Sequence, residues 1–193
     1  MTDWLVRAST HPSGCRVRDF THRFHALLTL RTDGSSMSNY RRPELSGVPI
    51  FFTVALGDRR SDLLVREIDL LRHAVRVTKT ERPFGIDAWV VLPDHMHCIW
   101  RLPDDDTDYP TRWRLIKSRF SREVPLGQVR GSHVKRQERG VWQRRYWEHH
   151  IRDEADFAAH LEYCWFNPVK HGLVNRPEDW VFSSFRRDCL VAN

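Results

Sequence analysis

"FGIDAWVVLPDHMHCIWRL", residues 84–102, is the stretch from which the rest of the chain is read. Two runs dense in Val, Ile and Trp flank the turn-forming pair Pro93-Asp94, so the stretch predicts an antiparallel hairpin, one strand ending at Leu92 and the next running from His95 to Leu102. Residues two apart on a strand point to the same face. His95 and His97 therefore project together, while Met96 and Cys98 point the other way. Taken alone, such a pair is either a preformed set of nitrogen ligands or chance.

Upstream, "VPIFFTVAL" (48–56) has the β-branched and aromatic density of a buried strand, and Asp58 to Asp62 form a polar break. Between Ser61 and Thr80, Leu64, Ile68, Leu71 and Val75 recur at three- and four-residue steps with Arg66, Asp69, Arg72 and Arg76 between them, predicting an amphipathic helix that Pro83 stops. Downstream, "LPDDDTDYP" is an acidic loop. "TRWRLIKSRFSREV" then places Trp113, Ile116 and Phe120 on one helical face and Arg112, Lys117, Arg119 and Arg122 on another. After a Gly- and charge-rich segment (125–140), expected to be flexible, "VWQRRYWEHHI" predicts a fourth strand. "DEADFAAHLEYCWF" predicts a helix capped by Asp153 and ending at Asn167-Pro168. The order strand, helix, hairpin, helix, strand, helix fits an α+β domain, a ferredoxin-like antiparallel sheet with helices packed on one face.

The 193 residues suit one domain, and 31 basic against 25 acidic residues (net +6) favour a polyanionic partner. Cys15, Cys98, Cys164 and Cys189 form no C-x-x-C pair, so reduced thiols are expected rather than a disulfide framework or zinc knuckle. No run approaches the ~20 apolar residues of a membrane span, and the start lacks a secretory h-region. A cytoplasmic protein without membrane contact is expected.

Chemistry at the histidine pair needs further groups on the same face, and the last helix offers them: Tyr163 and Asn167 lie four apart, hence on one side of it. His149 and His150 are adjacent, face opposite ways on a strand and read as structural, as do His160 and His171. Trp142, Trp147, Trp165 and Trp180 read as core and stapling residues, with "DWVFSSF" (179–185) docking back on the domain through Trp180 and Phe182.

"VVLPDHMHCIW", followed by "YWEHHIRDEADFAAHLEYCWFNPVKHGLV" and "DWVFSSFRRD", resembles the REP-associated tyrosine transposases, which belong to the single-tyrosine HUH transposases. The resemblance runs from about Met37 to Asp188 and is most specific in H-M-H combined with Y-x-x-x-N-P-V-K-H-G. It implies that Tyr163 is the nucleophile cutting single-stranded DNA. It also implies that His95, His97 and Asn167 hold a divalent metal, Mg²⁺ or Mn²⁺, with zinc left open. A phenol with pKa about 10 is a poor nucleophile at neutral pH, so help from a cation or base makes chemical sense.

The resemblance further implies that Ser38, Asn39, Tyr40, Arg41 and Arg42 read unpaired bases beside a DNA hairpin, a task suited to Asn and Arg hydrogen bonds and Tyr stacking. Arg112, Lys117, Arg119, Arg122 and Lys170 are candidate phosphate contacts. Family members usually begin near M-S-N-Y-R-R, so residues 1–36 are expected to be an extension or a start-site artefact. Residues 37–193 are then the transposase domain with a docking tail. A monomer is expected, a dimer left open. Two alternatives stay open: a hairpin-binding regulator without catalysis, and a metal hydrolase that activates water without a tyrosine nucleophile.

Overall fold

The computed structural model describes residues 46–125 and 139–189. Residues 1–36, Met37 and the proposed base-reading run Ser38–Arg42 lie outside the described residues, as does most of the 125–140 segment. Four strands, β1 (Ile50–Ala55), β2 (Gly85–Val91), β3 (His95–Arg101) and β4 (Trp147–His150), form one antiparallel sheet in the order β2-β3-β1-β4. The helices are α1 (Leu63–Arg66), α2 (Ile68–Glu81), α3 (Tyr109–Glu123), α4 (Glu154–Lys170) and α5 (Phe185–Cys189). Strand order and connectivity are those of the expected ferredoxin-like α+β domain.

Strand alternation divides the interior in two. Ile50, Phe52, Val54, Met96, Cys98 and Trp100 face α2 and α3, where Leu71, Val75, Trp113, Ile116 and Phe120 complete the larger core. Phe51, Val90 and Ile99 face the other way and pack with Leu161 and Cys164 of α4. The one-face expectation therefore holds for α2 and α3 but not for α4, which covers the opposite side. An apolar stripe says that a helix must bury one face, not against which side of a sheet.

Helix α4 starts as expected: the Asp153 carboxylate accepts from the Asp156 backbone N–H at 2.8 Å. It does not end at Asn167-Pro168. Pro168 lies within the helix, and the following turn closes with His171 N–H donating to Asn167 O (3.0 Å) and Leu173 N–H to Pro168 O (2.9 Å). Gly172, at φ +67°, supplies the left-handed residue that stops it. A proline one turn from a helix end forfeits a single bond, at Cys164 O, so the helix continues. His160, Tyr163, Asn167 and Lys170 thereby share one stripe.

The basic face of α3 needs correction. Arg112 is 2% exposed. Its guanidinium donates to Asp106 Oδ2 (2.6 Å) and Oδ1 (3.1 Å), Pro83 O (2.8 Å), Asp108 O (3.0 Å) and Arg82 O (3.3 Å), so it ties the α2–β2 turn to the acidic loop and cannot touch DNA. Its hydrogen bond holds the Asp106 carboxyl below its ordinary range. Arg119 joins α3 to α2 through Thr78 (2.7 Å) and Glu81 (2.6 Å). Lys117 donates to Gln143 O (2.8 Å) beside Trp142 and Tyr146. Arg122 is exposed, but α3 lies across the sheet from the histidines.

The C-terminal stretch docks as expected, with Trp180 and Phe182 packed against the two core clusters. Ser184 and Phe185 are buried, whereas Trp180 and Phe182 are half-buried. Trp180 Nε1 donates to Val91 O (2.9 Å), and the backbone pairs with β2 through Val91 N to Phe182 O (2.9 Å) and Ser184 N to Trp89 O (2.8 Å). Among the described residues no helix is long and apolar enough to cross a membrane, and Cys98, Cys164 and Cys189 are free thiols.

Removing one partner of a buried, multiply bonded ion pair costs about 3–5 kcal/mol. Arg112→Leu is therefore expected to lower the thermal unfolding midpoint by several degrees. An unchanged midpoint would contradict the tie between the α2–β2 turn and the acidic loop.

Candidate active site

The α4-facing side of the sheet carries the candidate site. In the β-register Thr53 of β1 stands opposite both His97 of β3 and Trp147 of β4, and Ala55 stands opposite His95. The His95 and His97 rings lie 5.0 Å apart between centroids. Above them α4 brings the Tyr163 ring to 5.0 Å from His97 in an edge-on arrangement. Phe51 forms the floor, stacked on His97 at 5.6 Å and edge-on to Tyr163 at 5.9 Å. Lys170 Nζ sits 5.2 Å over the Tyr163 ring.

Each imidazole is held by its Nδ1 atom. His95 Nδ1 lies 2.7 Å from Asp94 Oδ1, and Asp94 is paired to Arg59 at 2.9 Å. His97 Nδ1 lies 2.8 Å from Thr53 Oγ1. When Nδ1–H is so engaged, Nε2 is the nitrogen left to ligate. Burial lowers both imidazoles. Burial takes His97, 3% exposed, well below its ordinary value, and a proton on it would also be repelled by Arg59 and by any proton on His95 or His171. At His95 burial is opposed by the Asp94 carboxylate. Both are therefore neutral, as ligands must be.

Of the buried side-chain atoms without a hydrogen-bond partner among the described residues, three belong to the proposed ligands: His97 Nε2 and both Oδ1 and Nδ2 of Asn167, a residue 1% exposed. Leaving such groups unsatisfied costs about 1–3 kcal/mol each. An imidazole nitrogen and an amide oxygen kept free in a dry site fit a borderline or hard divalent cation.

Another group also has the spacing of metal ligands: His149, Asp156 and His160 offer atoms within 4.8 Å of one another. Its atoms, however, are engaged. His149 Nε2 lies 2.8 Å from Asp156 Oδ2, which also accepts from Arg152 N (3.0 Å) and Nε (3.2 Å), and His160 Nδ1 lies 2.8 Å from Asp156 O. Burial works to raise the Asp156 carboxyl, but the His149 and Arg152 hydrogen bonds outweigh it and bring it to about 2. The group is a satisfied hydrogen-bond network, unlike the orphaned set at His97 and Asn167.

The structure thus brings together His95, His97, Tyr163 and Lys170, and puts Asn167 one helical turn beyond Tyr163. Sequence reasoning missed Asp94, Arg59, Thr53 and Phe51, and took His160 and His171 as merely structural. The His171 ring lies 5.2 Å from His95, and that of His160 4.7 Å from Phe51. Asp94, adjacent to His95, was the visible signal; the Thr53 contact depends on register between strands far apart in sequence. Trp147, expected in the core, is 46% exposed.

No protein-family model matches the chain. The chain is 48% identical over 152 residues to a REP-associated tyrosine transposase of Escherichia coli K12, covering 79% of this chain and 85% of that protein. A Haemophilus influenzae protein provisionally given the same family name is 44% identical over 154 residues, covering 79% and 88%. Among solved structures, a REP-associated tyrosine transposase bound to a REP hairpin superposes with TM-score 0.68 at 47% identity, covering 79% of this chain and 85% of that one.

An unfolded histidine takes up a proton near pH 6.5, whereas folded His97 stays neutral well below that. Below pH 6.5 the unfolded chain binds more protons, so stability is full above that pH and declines as pH falls. The metal-free midpoint is expected to drop between pH 7 and pH 5, and His97→Leu to drop less. Identical pH profiles for the two proteins would contradict a buried, neutral His97.

Proposed function

Because the chain belongs to the REP-associated tyrosine transposases, we propose that it cuts and rejoins hairpin-bearing single-stranded DNA through Tyr163. The observation that carries this reading is the 5.0 Å approach of the Tyr163 ring to His97, whose Nε2 is buried without a partner among the described residues.

In the proposed step the Tyr163 oxygen attacks the scissile phosphorus and loses its proton to solvent. The bond from phosphorus to the 3′-oxygen breaks, and that oxygen takes up a proton. A 5′-phosphotyrosine and a free 3′-hydroxyl result, and attack by another 3′-hydroxyl reverses the step, so cutting and joining use one site. Phe51 and the packing of α4 hold the phenol in place. Lys170, above the ring, attracts the incoming phosphate. His95, His97 and Asn167 would hold a divalent metal, Mg²⁺ or Mn²⁺. When bound, such an ion polarises the phosphate and offsets its developing charge. Asp94, an acceptor only, keeps His95 in the tautomer that leaves Nε2 free to ligate, and Thr53 orients the His97 ring through Nδ1.

The bound partner in this reading is a REP-like hairpin with unpaired flanks, read by Ser38, Asn39, Tyr40, Arg41 and Arg42. Arg122, exposed on the far layer, would touch a phosphate only if the strand wraps the domain, so Lys170 is the cation assigned to the cut itself. All ligands and the nucleophile come from one chain, which supports a monomer. A chromosomal DNA substrate goes with the cytoplasm.

Labelled hairpin DNA with Mn²⁺ is expected to give a denaturant-resistant adduct with wild type. With Tyr163→Phe none should form, and cleavage should fall roughly 10³-fold or more at affinity within about threefold. Mn²⁺ should raise the unfolding midpoint of wild type but not of His97→Ala. Full cleavage by Tyr163→Phe would instead indicate a water-activating hydrolase. Tight binding without cleavage by wild type would indicate a regulator.

A further inference from the structure

One large apolar side chain beside the site is left nearly half in solvent: Trp147, the first residue of the edge strand β4, is 46% exposed. It shares a cross-strand row with Thr53 and His97, two strand spacings or roughly 10 Å from the histidine. Its indole lies 5.7 Å from Phe51, the residue whose other neighbours are His97 and Tyr163.

The indole is also held at a fixed angle. The His149 ring lies parallel to it (5.8 Å, 3°), and the His160 ring lies nearly parallel to that of His149 (4.7 Å, 16°). Both imidazoles are fixed by Asp156, itself held by Arg152, whose side chain is 76% exposed. Three rings in file thus run from α4 to solvent, with the exposed indole outermost. Leaving so much of a Trp wet forgoes a large apolar burial, and its planar surface, fixed in advance at the end of a network that also holds the exposed Arg152, matches an unpaired base and its phosphate.

We propose that Trp147 is the platform on which an unpaired base of the cleaved strand stacks, and so sets the path of that strand over Tyr163. The inference rests on the function proposed above. His149, Asp156 and His160 act as positioning residues for the indole, and Arg152 meets the adjoining phosphate.

The test is a binding cycle with the full chain and a REP hairpin with or without unpaired flanks, each flank position replaced in turn by an abasic site. Trp147→Ala is expected to weaken binding of the flanked hairpin roughly 5- to 100-fold, leave the bare hairpin within about twofold, and retain the Mn²⁺-induced midpoint shift. Trp147→Phe should restore most of the loss. At one flank position the abasic substitution should weaken wild type but not Trp147→Ala. Equal losses on bare and flanked hairpins, or no position with such coupling, overturn the platform. Adduct formation by wild type is scored separately: its absence sinks the catalytic reading, while the binding cycle still decides the role of Trp147.

Discussion

Seating of α4 on the sheet through Leu161 and Cys164, which join Val90, Leu92 and Ile99 in one buried cluster, is the contact on which the site depends. That contact is apolar and non-directional, yet it fixes direction because the helix has only one face able to make it. The polar stripe of Tyr163, Asn167 and Lys170 lies beside the packing stripe, so burying one aims the other along the row of histidines. The interior is dense enough that a lost methylene in this cluster would be felt as a shift of the phenol.

The site is also a place where stability is given up. Burial makes the imidazoles neutral, Asp94 and Thr53 orient them, and His97 Nε2 and the Asn167 side-chain amide are left without partners among the described residues. A core built for stability alone would fill these positions with hydrocarbon. Every other feature nearby, including the Arg59–Asp94 pair and the Phe51 floor, makes that arrangement rigid rather than cheaper.

Much of this was readable in the chain itself. The hairpin followed from Pro93-Asp94 between two β-rich runs, the paired imidazoles from the period of two, and the Tyr163–Asn167 stripe from helical spacing. What stayed hidden depended on who meets whom. The pattern of α4 showed an apolar face but not the side of the sheet it would choose. Arg112 reads as a solvated cation until the acidic loop folds over it and Asp106 is found waiting. Thr53 acquires a role only through register with His97, 44 positions away. Trp147 looked like core because large aromatics on strands usually are, and only the position of β4 at the sheet margin leaves it wet. Pro168 looked like a stop because proline usually is, but so near a helix end it removes little.

The segment around Phe182 bears on more than the shape of the C-terminus. By bonding to Val91 and Trp89 and bridging Val90 to Ser183, it occupies the outer rim of β2, a row of amide and carbonyl groups that would otherwise be open to any extended peptide. A protein cut short before this point would expose a flat, Val- and Trp-rich ribbon. Its first hazard would be sticking to its own copies during biosynthesis, well before any loss of chemistry.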